Sequence, residues 1–385
     1  MYSDIQKNPD IIKKTKPVFN INFINGPYLD ISNSPGEEYE VSFIDSETGR
    51  VHYNAKVMNG HWCRCNISYF VKWNVRISKN GEVFEYNYDP KDKKVFIALE
   101  SRSIGDTLAW VPYAEEFRKK WGCKVVFSTF WNHLFESEYP EIEFVPPGSV
   151  VNGIYAMYKI GWFYGEDGNV NLQLNPRDFK KYSLQQTASD ILGIEFSHIK
   201  SLIKAPEVEK KKRVGIGFHS TAQTKYWNNE TGWQEVCDFL TLSGYEVMVL
   251  SKEGDGYMGN YFPIGATKLE EGSFENLIEV MSTCEIFIGV GSGLSWLAWS
   301  LNIPTVLISG FSTPVSEFEG EGVIRIFNES ACNGCYNRYR LNAGDWNWCP
   351  DHKGTERQFE CTKKITGGHV INRLISGGFI KKEAN

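Results

Sequence analysis

The chain has 385 residues, 42% hydrophobic and 23% charged, with a formal net charge of −6. That length accommodates two or three domains with buried cores, and the acidic balance argues against a generally nucleic-acid-binding surface. No window approaches the apolar length of a membrane span. The opening residues 1–16 lack the apolar core of a secretion signal, so a cytoplasmic protein is expected, its nine cysteines reduced rather than paired.

Residues 19–89 alternate with a period of two: Phe19, Ile21 and Phe23, then Tyr39, Val41 and Phe43, then Val51, Tyr53, Ala55 and Val57, then Tyr69, Val71, Trp73, Val75 and Ile77. Turn chemistry separates these runs at Asp45–Gly49, Asn59-Gly60 and Asn80-Gly81. The pattern predicts a small antiparallel β-barrel or sandwich over residues 1–90 that docks or oligomerises. Cys63 and Cys65 alternate within a strand and read as packing.

From Lys94 the pattern becomes α/β. A buried strand, KVFIALE, precedes a helix over Ile104–Trp121, spaced through Leu108, Val111, Ala114 and Phe117. Strands follow at Lys124–Ser128 and Ile142–Val145, then a helix over Leu184–Leu192 that Gly193 is placed to end. A charged linker spans residues 196–212, and the basic run Lys210–Arg213 reads as its solvated end. A second set begins with a strand at Val214–His219 and continues with a helix near Trp233–Ser243, a strand at Glu246–Leu250 and a helix near Phe274–Cys284. The fold class expected is α/β, with two facing Rossmann-like domains at residues 91–205 and 206–385.

Three places carry the chemistry. In Glu285–Gly310 an apolar run ends in Gly-Val-Gly-Ser-Gly, and a helical pattern and a second β-branched run follow. This strand, turn, helix and strand aims a helix N-terminus out of the sheet's carboxyl edge. With no Cβ at Gly291 or Gly293, its free N–H groups suit a diphosphate. Gly105 and Asp106 fall where strand gives way to helix, so the Asp106 carboxylate either caps that helix or faces the cleft as a general base. After Val214–Phe218 comes a polar loop with His219, Ser220, Thr221, Thr224 and Lys225. The Lys225 ammonium suits a diphosphate leaving group there, and Trp227 is placed to line a base or sugar pocket.

The tail holds Cys332-Asn333-Gly334-Cys335, then thirteen residues to Cys349 and eleven to Cys361. Four thiolates with one C-x₂-C knuckle in a loop-rich stretch (residues 330–363) read as a closed structural metal site, zinc by default and iron as the alternative. Cys123, Cys237 and Cys284 fall in or beside regular elements and read as core.

Taken together, SIGDTLAW, STAQTKYW and GVGSGLSWLAWSLNIPTVLISG resemble the heptosyltransferases of the glycosyltransferase-B fold over Lys94–Phe327. The lipopolysaccharide enzymes usually carry Asp-Thr/Ser-Gly where this chain has Gly291-Ser292-Gly293, a departure that points away from a lipid-core enzyme. An N-terminal β domain and a C-terminal four-cysteine site look like the bacterial autotransporter heptosyltransferases. That resemblance implies transfer of heptose from ADP-heptose to serines of an autotransporter adhesin, with Asp106 as base and Lys225 at the donor diphosphate. It matches Gly291–Ser295 (with Ser292, Gly293 and Leu294) to the family's donor-binding turn; Gly105, Thr107, His219, Ser220, Thr221, Thr224 and Trp227 are the further residues expected around the donor. It also implies one structural iron(III) ion on Cys332, Cys335, Cys349 and Cys361, so iron outranks zinc, and a dodecameric ring. Two alternatives stand beside it: another nucleotide sugar or a saccharide or lipid acceptor, and a non-enzymatic, rubredoxin-like iron-binding assembly module.

Overall fold

A computed structural model of the chain describes residues 16–342 and 344–381. Residues 1–15, which carry the expectation of no secretion signal, lie outside the described residues. No helix among the described residues is long and apolar enough to cross a membrane.

The alternating N-terminal sequence forms seven strands: β1 (Val18–Ile24), β2 (Tyr28–Ser32), β3 (Glu38–Asp45), β4 (Val51–Met58), β5 (Trp62–Arg64), β6 (Trp73–Lys79) and β7 (Glu82–Asn87). After them come β8 (Lys94–Leu99), α1 (Ile104–Trp121), β9 (Lys124–Ser128), β10 (Glu143–Val145), β11 (Ile154–Ile160) and α2 (Leu184–Leu192). The N-terminal strands are not one barrel or sandwich. Only β3, β4, β6 and β7 form a sheet of their own, in the order β4-β3-β6-β7, while β1, β2 and β5 extend the first α/β sheet to β10-β9-β8-β11-β1-β2-β5. β1 runs parallel to β11, with Phe23 opposite Ala156, and β2 and β5 continue antiparallel. Alternation marks a half-buried strand but does not name its neighbour. Here Phe23 supplies the reason, packing on Tyr86, Tyr88 and Tyr155 and so joining both sheets.

The second half holds β12 (Lys211–Gly217), α3 (Gly232–Leu242), β13 (Glu246–Val249), β14 (Thr267–Lys268), α4 (Phe274–Ser282), β15 (Cys284–Val290), α5 (Gly293–Ser300), β16 (Thr305–Ile308) and β17 (Val323–Ile326). Its six strands are all parallel, in the order β14-β13-β12-β15-β16-β17. Chain order therefore reverses between β12 and β15, and in open α/β sheets ligands bind outside the carboxyl ends at such a switch. The first half reverses in the same way between β8 and β11. Of the basic run, Lys210, Lys211 and Lys212 are exposed as expected, but β12 already begins at Lys211, and buried Arg213 pairs with Glu246 at 2.8 Å. Short helices α6 (Cys335–Arg338) and α7 (Glu360–Lys363) and then α8 (Gly367–Ser376) close the chain.

Two local devices hold α1 rigid. Ser103 is its N-cap, accepting from the Asp106 N–H. Pro112 inside the helix cannot donate to the Leu108 carbonyl, and the Ser201 hydroxyl does so instead at 2.7 Å. α5 is apolar and buried from Ser295 to Ser300, as expected of a helix between two layers.

The halves touch where α1 and α5 begin. A Cβ added to Gly105 would lie 3.2 Å from the Gly293 Cα, and one added to Gly293 would lie 2.6 Å from Ile104 Cγ2 and 3.2 Å from the Gly105 nitrogen. The sequence gives Gly293 a role in admitting an anion, but the space beside it is taken up by the other half. Gly293→Val is therefore expected to destabilise the protein by about 1–3 kcal/mol through overpacking, read by urea unfolding. An unchanged midpoint would contradict this contact.

Candidate active site

The loops following β8, β12 and β15 meet at this junction. They line a cavity of about 410 Å³ whose walls include Gly105, Asp106, Lys225, Gly291, Ser292 and Glu317. A second cavity, of about 670 Å³, opens on the other side of the turn and is lined by His219, Ser220, Thr221, Glu270, Phe274 and Leu294. Ser103, Ser292 and Gly293 line both, so the glycine turn is the saddle between them. Trp131 from the first half packs at a tilt on Phe274 from the second, ring centres 4.8 Å apart, and borders the wider cavity.

The cap assignment decides what Asp106 does. Ser103 satisfies the first-turn N–H, so the Asp106 carboxylate is not spent as a cap. Its Oδ2 accepts from the Ser101 hydroxyl at 2.6 Å, and Ser101 Oγ accepts from the Ser103 N–H at 3.1 Å. Burial pushes the Asp106 pKa up, while Ser101 and the Lys225 ammonium pull it down and Glu317 adds to the rise. Burial lowers the Lys225 pKa in turn, opposed by Glu317 and Asp106. Lys225 lies over the Phe311 ring, 5.3 Å from its centre, and has no ion pair within 4.0 Å among the described residues. It is thus a desolvated cation facing two carboxylates across a cavity, a positive charge that an incoming anion can pair with.

Most of the donor residues expected from the sequence gather here, and four do not. Ser220 lines the wider cavity and donates to the Gly291 carbonyl at 3.1 Å, tying the Lys225 loop to the turn. The His219 side chain is buried with both ring nitrogens lacking a hydrogen bond, and burial lowers its pKa, which keeps it neutral. Ser292 Oγ is likewise buried without a partner. By contrast, the buried Thr107 hydroxyl donates to the Ser103 carbonyl and Ser295 to the Val290 carbonyl, so both brace backbone. Thr224 is buried away from both cavities. Trp227 lies in the core against Trp233 and donates to the Ile365 carbonyl at 2.8 Å, so it lines no pocket. Sequence reading missed Glu317 and Tyr336, which both line the smaller cavity. The available signal was position: Glu317 follows the strand after the glycine turn.

The cysteine segment forms part of this site. Burial raises the Cys335 thiol to about 12, with further upward pushes from Cys361, Cys349 and Cys332. Cys361 is raised to about 12 by burial and then by Cys349, with a smaller push from Cys332. Thiols held near one another suit a cation, since together they become thiolates only when one compensates them. Among the described residues the potential ligand atoms that lie within 4.8 Å of one another are those of Cys332, His352 and Glu360, a group that takes in one of the four cysteines. Glu360 is already engaged, however, by Arg357, Lys364 and the Cys332 N–H. The segment reaches both halves. Tyr336 N–H donates to the Phe311 carbonyl and Gln223 N–H to the Trp346 carbonyl, each at 2.9 Å. The Asn337 amide donates to the Lys180 carbonyl at 2.6 Å and to Ser316 at 2.8 Å.

Residues 174–317 match glycosyltransferase family 9 (heptosyltransferase). The chain is 36% identical to the autotransporter heptosyltransferase Aah of Escherichia coli over 90% of its own length and 92% of that protein's. It is 28% identical to the inactive autotransporter heptosyltransferase BimC of Burkholderia thailandensis, over 86% and 80% of the two chains. Its structure is similar to that of the iron-containing dodecameric glycosyltransferase TibC from enterotoxigenic E. coli, with a TM-score of 0.84, 32% identity and 94% and 96% of the two chains covered. TibC has also been solved in complex with ADP-D-β-D-heptose.

The raised Asp106 pKa fixes a sign. The folded state binds this proton more tightly than the unfolded chain, whose Asp titrates near about 3.9. The resulting penalty is absent below that value and complete once the pH exceeds the folded pKa. Asp106→Asn should therefore gain stability over the parent chain between about pH 4 and pH 8. Urea midpoints at the two pH values check it, and a difference that does not grow with pH would contradict it.

Proposed function

The chain belongs to the autotransporter heptosyltransferases of glycosyltransferase family 9, and from that membership we propose that it transfers heptose from ADP-heptose to serine hydroxyls of an autotransporter passenger in the cytoplasm. The observation that carries this reading is that Asp106 and Lys225 both line the smaller cavity, beside the glycine turn. The acceptor oxygen attacks the anomeric carbon, its proton passes to Asp106, and the bond to the diphosphate oxygen breaks to release ADP. Lys225 and the N–H groups at the start of α5 offset the charge that builds on ADP. The nucleoside occupies the wider cavity and the sugar the smaller one. In glycosyltransferase-B terms, residues 91–205 serve the acceptor and 206–385 the donor, with residues 1–90 as an N-terminal β region that adds strands to the acceptor-side sheet.

Cys332, Cys335, Cys349 and Cys361 would hold one iron(III) ion, which supplies the positive charge that keeps four thiolates together. The segment's own residues wall the smaller cavity with Tyr336 and fix the Lys225 loop through Trp346. The fitting role is structural, which replaces the rubredoxin-like reading with an enzyme whose cleft is braced by its metal segment. A dodecameric assembly like that of TibC is the oligomer proposed.

Asp106→Ala should bind ADP as the parent does and lose transfer by about 10²–10⁴-fold. Lys225→Ala should lose both, with transfer down about 10²–10³-fold. Intact-mass measurement of a passenger fragment incubated with ADP-heptose reads the reaction, with GDP-mannose as the control donor. Heptose-sized steps with Asp106→Ala at the parent rate would overturn the base assignment, and no steps with the parent enzyme would overturn the acceptor. Cys349→Ser should drop the metal content below one ion per chain and lower the unfolding temperature. Full iron content by elemental analysis in that variant would contradict the four-cysteine site.

A further inference from the structure

The smaller cavity holds a carboxylate to which the transfer chemistry gives no task. Glu317 lies in the loop between β16 and β17 and lines the cavity beside Lys225 and Gly291. Its Oε1 lies 3.3 Å from where a Cβ on Gly291 would stand, and is the nearest atom to that point. Thus a turn that carries no side chain of its own has a carboxylate delivered into its empty side-chain space from another element. That carboxylate is held in place. The Ser312 hydroxyl donates to Oε1 at 2.9 Å, and Arg325 in turn donates to the Ser312 carbonyl at 3.1 Å and to its Oγ at 3.2 Å. Ser312 is buried, and Glu317 is among the groups that keep the Arg325 guanidinium charged against its desolvation. No donor among the described residues reaches Oε2.

A carboxylate placed this way repels phosphate and accepts from O–H groups. Gly291 faces only the smaller cavity, and Leu294, on the other side of the turn, only the wider one. Glu317 therefore stands on the glycosyl side of the diphosphate position. We propose that Glu317 is the donor-sugar residue, its Oε2 accepting hydrogen bonds from hydroxyls of the transferred glycosyl group and so selecting a polyhydroxylated sugar over the bare nucleotide. This rests on the donor placement proposed above. Ser312 and Arg325 act through it as positioning residues.

Calorimetric titration of the full chain with ADP and with ADP-heptose separates the sugar contribution from the nucleotide contribution. Glu317→Ala should raise the Kd for ADP-heptose by about 10-fold or more, the scale of a lost charged hydrogen bond, and leave that for ADP within about twofold. Gly291 lacks a positive φ, and among the described residues beyond its chain neighbours only Glu317 comes within 4 Å of a Cβ placed there, so a side chain fits once Glu317 is truncated. Gly291→Asp placed in the Glu317→Ala background should then restore most of the ADP-heptose affinity. Equal losses for ADP and ADP-heptose, or no rescue by Gly291→Asp, would overturn the assignment and leave the enzyme reading intact. A parent chain that binds ADP no less tightly than ADP-heptose would overturn the donor placement, and the Glu317 assignment with it.

Discussion

Everything at the site depends on how closely two helix starts approach. α1 leaves the switch point of the first sheet and α5 that of the second, and they meet with Gly105 against Gly293. Each helix brings the positive end of its dipole to the same place. Such a junction is electrostatically unfavourable when nothing lies between the ends and favourable when an anion does. The same contact fixes the separation of Asp106 and Lys225, since one lies in the first turn of α1 and the other in a loop that Ser220 fastens to the glycine turn. Small residues at this seam set the separation of Asp106 and Lys225.

The cysteine segment bears on that geometry from outside. It forms few regular elements, and its buried apolar cluster is small, Cys335 and Tyr336 against Phe311. What it holds is a wall: Tyr336 packs on Phe311 from the donor half and on Trp162 from the acceptor half. Asn337 bonds to both halves as well. Ordering the cysteines therefore orders the cleft.

Much of this was legible in the sequence. The helices Ile104–Trp121 and Leu184–Leu192 have the expected bounds because apolar spacing, the N-cap serines 103 and 183 and the αL glycines 122 and 193 all agree. The glycine turn and Lys225 were legible because strand, turn and helix occur in immediate succession. What was not legible depended on contacts distant in sequence. Nothing in the alternation of Phe19, Ile21 and Phe23 says that β1 will lie beside β11. Trp227 sits two residues after Lys225, yet faces the opposite way, into the core against Trp233. Glu317 belongs to a loop with no motif, and its place at Gly291 follows only from how β16 and β17 are paired. The functional reading of Gly293 was altered for the same reason, since the neighbour that fills its empty side comes from the other half.

The most direct measurement is a crystal structure of the full chain with ADP. The account predicts the adenosine in the wider cavity, the diphosphate on the N–H groups at the start of α5 with Lys225 at its terminal phosphate, and Gly105 still against Gly293. A diphosphate bound away from the glycine turn, or halves parted so that Asp106 and Lys225 no longer share a cavity, would contradict it.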